Sequence, residues 1–88
     1  MKQIRQSDEQ QEASRVEGCA RLFGVGNWLK LKRPEWDAVL DLNREGGFFY
    51  ARCWIDGRFA ECGVHRDAVR AVEALGVALR NHKGVEEL

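Results

Sequence analysis

The stretch "GGFFYARCWIDGRFAECGVHRDAVRAVEAL", residues 46–75, decides how this chain folds. Apolar and polar residues alternate over 48–55, meet Asp56-Gly57, alternate again over 58–65, and then change to a helical period. Alternation at period two marks a strand buried on one face. Asp-Gly suits a type I′ turn, whose two central residues need positive φ. Pairing outward from that turn sets Ile55 opposite Arg58, Trp54 opposite Phe59, Cys53 opposite Ala60, Arg52 opposite Glu61 and Ala51 opposite Cys62.

Upstream, "RPEWDAVLDLNREGG" (33–47) supports two readings. Pro34, Glu35 and Asp37 with a closing Gly46 resemble a helix, whereas Trp36, Ala38, Leu40 and Leu42 alternate as in a strand. With "REGG" (44–47) as a four-residue turn, Asn43 pairs with Phe48, Leu42 with Phe49 and Leu40 with Ala51. Both hairpins then agree on faces, because paired residues point the same way. One face collects Ala38, Leu40, Leu42, Phe49, Ala51, Cys53, Ile55, Ala60, Cys62 and Val64, with Arg58 its one charge, at the turn. The other collects Asp37, Asp41, Phe48, Tyr50, Arg52, Trp54, Phe59, Glu61 and His65. That agreement favours the strand.

On the N-terminal side, Ser7 with Gln10 three residues on suggests a capping box. Ala13, Val16, Ala20 and Phe23 recur at helical spacing, and Gly24 fits a stop. A helix is expected over 8–23, with residues 1–6 loose and 25–32 an extra edge strand or an extended connector. From Arg66 onward Val69, Val72, Gly76 and Leu79 form a helical stripe flanked by Ala68, Leu75 and Ala78. Arg80, His82 and Lys83 stand near its C-terminal end, where cations are favoured, and Gly84 can close it. The expectation is a two-layer α+β domain over 7–84. It comprises an N-terminal helix, a three- or four-stranded antiparallel meander and a C-terminal helix packed on one sheet face. Residues 85–88 form a tail.

The 88 residues suit a single domain, and 44% hydrophobic against 32% charged residues suits a globular one. Fourteen basic residues balance fourteen acidic ones, so no net basic surface marks a phosphate-backbone binder. No apolar run is long enough to span a bilayer, and the first residues have no apolar signal core. A cytoplasmic setting is expected. Three cysteines, Cys19, Cys53 and Cys62, with no C-x-x-C pair, read as reduced and mostly buried thiols.

No P-loop, G-x-S-x-G or H-E-x-x-H motif occurs, and "GVGNWL" (24–29) reads as a loop ending the first helix. His65 and His82 fall near opposite ends of the last helix, too far apart to share a metal. Cys62 should point to the core while Glu61 and His65 point away, which removes a Cys-His pair. Neither enzyme activity, metal nor cofactor is expected. What remains is the face carrying Phe48, Tyr50, Arg52, Trp54, Phe59 and Glu61, with Arg52 paired across the strands to Glu61. An open aromatic patch is unusual for a monomer, and aromatics and Arg dominate interface hot spots. The N-terminal helix or the 25–35 segment would cover these rings, or a partner would.

Residues 34–81 resemble a double-stranded-RNA-binding domain, whose order is α-β-β-β-α. That resemblance implies phosphate contacts at the start of the last helix, where the matching positions are Arg66, Asp67 and Arg70, and "EGGF" stands in the loop between the first two strands. "LDLNREGGFFYARCWIDGRFAECG" (40–63) followed by "RDAVRAVEAL" (66–75) is similar to the HicB antitoxins, with their acidic-Gly-Gly-aromatic turn and Ala-Leu helix. The function expected first is a non-enzymatic protein-binding module acting as a stoichiometric modulator or inhibitor. Antitoxins and phage-encoded inhibitors of bacterial defence, anti-CRISPR proteins among them, share this size and format. A double-stranded-RNA-binding module using Lys30, Lys32, Arg33, Arg66 and Arg70, or a structural homodimer subunit, is the alternative. A homodimer is also a possible partner arrangement, nucleic acid comes after protein, and no membrane is involved.

Overall fold

The computed structural model describes the backbone of residues 2–82 and the side chains of residues 15–82. In chain order it comprises α1 (Lys2–Lys32), β1 (Ala38–Glu45), β2 (Phe48–Ile55), β3 (Arg58–His65) and α2 (Ala68–Arg80). The strands form one open antiparallel sheet in the order β1-β2-β3. This is the α+β architecture expected, with the smaller of the two strand counts, three.

The β1–β2 turn has only two residues. Gly46 and Gly47 both hold positive φ, 58° and 83°, and Glu45 stands directly opposite Phe48. Leu42 therefore faces Ala51 and Leu40 faces Cys53, two residues from the register that a four-residue turn gives. A shift of two leaves every side chain on its expected face.

The β2–β3 turn places Asp56 and Gly57 at φ 54° and 80°. Ile55–Arg58 and Trp54–Phe59 pair as expected, but Cys53 then faces Glu61 and Arg52 faces Cys62. Ala60 is the extra residue of a β-bulge, and the one-residue slip reverses every face beyond it. Glu61, Gly63 and His65 thus share the side of Cys53, Ala51 and Phe49, and Cys62 and Val64 lie on the other, the opposite of the expectation. The cause is contact with α2. A side chain at Gly63 would collide with the Ala71 carbonyl and the Leu75 amide. Without the bulge, Cys62 and Val64 would face the helix instead.

α1 does not stop at Gly24. Gly18, Leu22, Val25 and Leu29 recur at helical spacing along its inner side, and Leu22 and Leu29 are buried. Gly18 sits against Leu42 and Ala68, and Gly26 against Leu40. The helix gives up to about 1 kcal/mol per glycine and gains close approach to β1. Gly24 has open space beside it, and nothing in the structure explains it. The segment expected as an edge strand or connector, 25–32, is therefore helix. It ends before Pro34, which disfavours helical geometry in the residue preceding it. α1 also begins earlier than expected, at Lys2, so residues 2–6 are helical rather than loose. The Ser7 capping box falls on side chains outside the described residues; Gly84 and the 85–88 tail lie outside them altogether.

α2 begins at Asp67, whose carboxylate accepts a hydrogen bond from the Arg70 amide at 3.1 Å. Ala68, Ala71, Val72, Leu75 and Leu79 are its buried residues, so the stripe is turned from the expected Val69–Gly76 line toward Ala71 and Leu75. α1 lies against β1 and α2, and α2 lies across β2 and β3. Both helices cover one face of the sheet, where Leu29, Leu75, Leu79 and Cys53 are fully buried. Each such leucine is worth roughly 2 kcal/mol in apolar burial. No helix among the described residues is long and apolar enough to cross a membrane.

Candidate functional site: the open sheet face

Neither helix covers the second face of the sheet. Its register collects Val39, Asp41, Asn43 and Glu45 from β1, Phe48, Tyr50, Arg52 and Trp54 from β2, and Phe59, Cys62 and Val64 from β3. Phe59 is 57% exposed, Val39 53%, Val64 45% and Phe48 37%. The rings are held by one another and by arginines. Trp54 and Phe59 meet edge to face with centroids 6.0 Å apart, the cross-strand aromatic contact that a pleated pair favours. The Arg52 guanidinium lies 5.2 Å from the Trp54 ring centre, and that of Arg66 lies 5.4 Å from the Phe48 ring centre.

The centre of the face is an ion pair closed on itself. Arg52 Nε donates to Asp41 Oδ1 at 2.9 Å and Nη2 donates to Oδ2 at 2.8 Å. This two-pronged bond raises the Arg52 pKa above its ordinary value, against the pull of its own desolvation. Cys62 is opposite Arg52 on the next strand. Burial pushes its thiol up, the Arg52 charge draws it down and Asp41 pushes it up again. A two-pronged Arg–carboxylate pair is geometrically specific, and here it leaves the middle of an aromatic surface without net charge.

Glu61 is not part of this face. The bulge turns it toward α2, where its Oε2 lies 2.9 Å from His82 Nδ1. The expected Arg52–Glu61 pair is thus replaced by Arg52–Asp41. His65 is also on the helix side, and its Nδ1 accepts the Asp67 amide at 3.0 Å. Of the expected site residues, Phe48, Tyr50, Arg52, Trp54 and Phe59 are brought together. Val39 joins them by the plain alternation of β1, and Cys62 and Val64 join them through the bulge, of which Gly63 is the sequence signal. A glycine inside a strand points to a bulge or a close backbone approach, and here it marks both.

The basic residues do not converge. Lys30, Lys32 and Arg33 stand at the end of α1, beside the start of β1, where Arg33 reaches Glu35 at 3.5 Å and the Trp36 ring at 5.4 Å. Arg66 and Arg70 stand at the start of α2, at the far end of the strands, about 26 Å away for an eight-residue strand. The N-terminus of α2, where an anion would sit, already holds the Asp67 carboxylate. Cys53 is buried, Cys62 half-buried and Cys19 exposed. Among the described residues no cluster of metal-ligating side chains occurs. No family model, curated protein or solved structure matches the chain.

Proposed function

We propose that this chain is a small, non-enzymatic protein-binding module that acts in the cytoplasm by occupying a partner protein's surface. It would be a stoichiometric modulator or inhibitor, in the format of antitoxins and of phage inhibitors of bacterial defence. The observation that carries this reading is the open aromatic face with its self-neutralised Arg52–Asp41 pair. Trp, Tyr and Arg supply most interface hot spots. A charge pair already satisfied within the chain also enters a partner's apolar surface without leaving an unpaired ion. Phe48, Tyr50, Arg52, Trp54 and Phe59 form the contact centre, and Glu61 is left out of it.

Protein is favoured over nucleic acid by charge. Arg52 is spent on Asp41, and Arg66 shares the face with Glu45, so a phosphate chain meets no net positive potential. The capping carboxylate of Asp67 weighs against phosphate at Arg66 and Arg70.

The test is affinity capture of tagged protein from its native cells with and without nuclease. The protein carries either the unaltered face or Trp54→Ala. A protein captured stoichiometrically, lost in Trp54→Ala and indifferent to nuclease, supports the reading. Capture abolished by nuclease, or binding that weakens steeply with salt through counterion release, replaces it with the RNA-binding alternative.

A further inference from the structure

The two helices run side by side in the same direction, from Gly18 against Ala68 to Arg21 against Glu73. Past that pair a groove of about 380 Å³ opens between them, and no residue of the sheet lines it. Gly24 of α1 and Gly76 of α2 stand on its two sides. Nothing outside its own helix lies within 4 Å of where a Cβ on either would be. Glycine weakens a helix interior relative to alanine, and no contact within the chain asks for either of these two. Their effect is to keep the groove open.

The lining is apolar in the middle and short of acceptors at one end. Val25, Val72 and Val77 supply the apolar part. At the near end Arg21 and Glu73 lie 3.7 Å apart and answer each other. At the far end, seven residues on along both helices, stand Trp28 and Arg80. Among the described residues the Arg80 guanidinium has no ion pair and the Trp28 indole N–H no hydrogen bond. Arg21 and Arg80 outnumber Glu73, the one acceptor side chain of the groove, and Glu73 is already taken. The groove therefore offers hydrogen-bond donors and positive charge beside an apolar channel.

We propose that this groove binds an elongated apolar carboxylate of the fatty-acid class. The chain lies between Gly24 and Gly76, where no side chain bars it, and the carboxylate accepts from Arg80 and from the Trp28 indole. Charge-assisted bonds of this kind are the strong ones. The groove is about 10 Å long over residues 21–28 at 1.5 Å per residue, which suits a medium-length chain. Its volume lies within the range of ligand pockets, about 300–1,000 Å³.

Other occupants fit less well. A neutral chain leaves Arg80 unanswered, and a bare phosphate forgoes the valines. A partner helix is about 10 Å across, too wide to pass between α1 and α2, and it would cover Arg80 without a counter-charge. No residue of the aromatic face lines the groove, so this site stands apart from the surface proposed for a partner protein.

Titration of the full chain with sodium octanoate, followed by NMR, tests this, with octanol as the uncharged control. The expected result is saturable shifts at the Gly24, Gly76 and Arg80 amides and the Trp28 indole N–H. A Kd of about 1 mM is what a ligand of roughly ten heavy atoms reaches, and octanol should bind about tenfold more weakly. Arg80→Gln should bring octanoate down to the level of octanol and leave octanol unchanged. Gly76→Leu should fill the groove and abolish binding without lowering the thermal midpoint, since leucine is the better helix former. Trp54→Ala should leave octanoate binding as it is. Absence of saturable shifts at these groups, octanol bound as tightly as octanoate, or undiminished binding by Gly76→Leu each overturns the inference. So does a dimer in sedimentation, or a captured partner protein, that Gly76→Leu releases, because the groove would then belong to that occupant.

Discussion

The two hairpins of the sheet share a kind of turn and differ in the ladder that follows it. Each turn holds two residues at positive φ, Gly46-Gly47 in one and Asp56-Gly57 in the other. From the first, pairing runs unbroken from Glu45–Phe48 to Ala38–Ile55. From the second it runs for Ile55–Arg58 and Trp54–Phe59, then skips Ala60. The difference lies in the helix that each outer strand meets. β1 meets α1 through the ends of Leu40 and Leu42, which fit beside Gly26 and Gly18. β3 meets the backbone of α2 at Gly63. A turn governs the pairs beside it; farther along, the closest tertiary contact governs the register.

Breaking that contact should give the largest effect. Gly63→Ala places a methyl group against the Ala71 carbonyl and the Leu75 amide, main-chain atoms that move only if the whole helix moves. Overpacking of this kind costs about 3 kcal/mol or more. Gly18→Ala meets the flexible end of Leu42 and, more loosely, Ala68, and it gains up to about 1 kcal/mol of helix propensity, so it should be far milder. Urea denaturation of both variants measures the contrast. Equal stabilities would mean that α2 does not rest on Gly63, and the bulge would lose its explanation.

The same contrast explains what was legible in the chain. The hairpins, the apolar side of β2 and the helix after Arg66 follow from local period and turn chemistry, and the structure has them. The expected four-residue first turn is two residues too long, yet an even slip preserves faces, so Leu40 and Leu42 stay on the core side. The second turn is the expected one, and the faces beyond it are reversed. The bulge answers to a helix more than five residues further along the chain, and alternation alone carries no sign of it. Hence alternation alone puts Glu61 on the aromatic face beside Arg52, whereas Asp41 is the partner that Arg52 has. In α1, Gly24 and Gly26 read as a stop, whereas Gly26 is room for Leu40, a contact that no local window contains.

Cys53 sharpens the comparison from the core side of the same strand. Burial pushes its thiol up to about 11 from an ordinary value near 9, with the nearby Glu61 charge adding to the rise. The folded chain therefore keeps a proton that the unfolded chain releases. This contribution is fully present below pH 9 and is lost as the pH rises from 9 toward 11, by about 2–3 kcal/mol at the upper end. Chemical denaturation across that range should show a slope that Cys53→Ala lacks. If both proteins fall equally, Cys53 does not face the helices.

The turns themselves should then behave alike, however different their ladders. Gly47 and Gly57 sit at φ 83° and 80° with open space around both. Gly47→Ala and Gly57→Ala should each cost about 1–2 kcal/mol, the left-handed penalty for a residue with a side chain. Thermal denaturation of the pair checks this. A cost at Gly57 several times that at Gly47 would tie the bulge to the turn rather than to α2.

The smallest expected effect on folding is at Trp54, and it separates the two faces of β2. Its neighbours Cys53 and Ala51 are buried beneath the helices, while Trp54 rests on Phe59 and Arg52 across an uncovered surface. Trp54→Ala gives up the ring–ring contact and part of a half-exposed surface, so stability should fall by only about 1 kcal/mol. A buried aromatic would cost about 3–5 kcal/mol. Affinity for the captured partner should fall by about 2 kcal/mol or more if the ring is a central anchor. Urea denaturation and partner titration on the same variant give both numbers. A large stability loss with undiminished affinity of the folded fraction would mean that the ring is covered within the chain, and the partner would have to bind elsewhere.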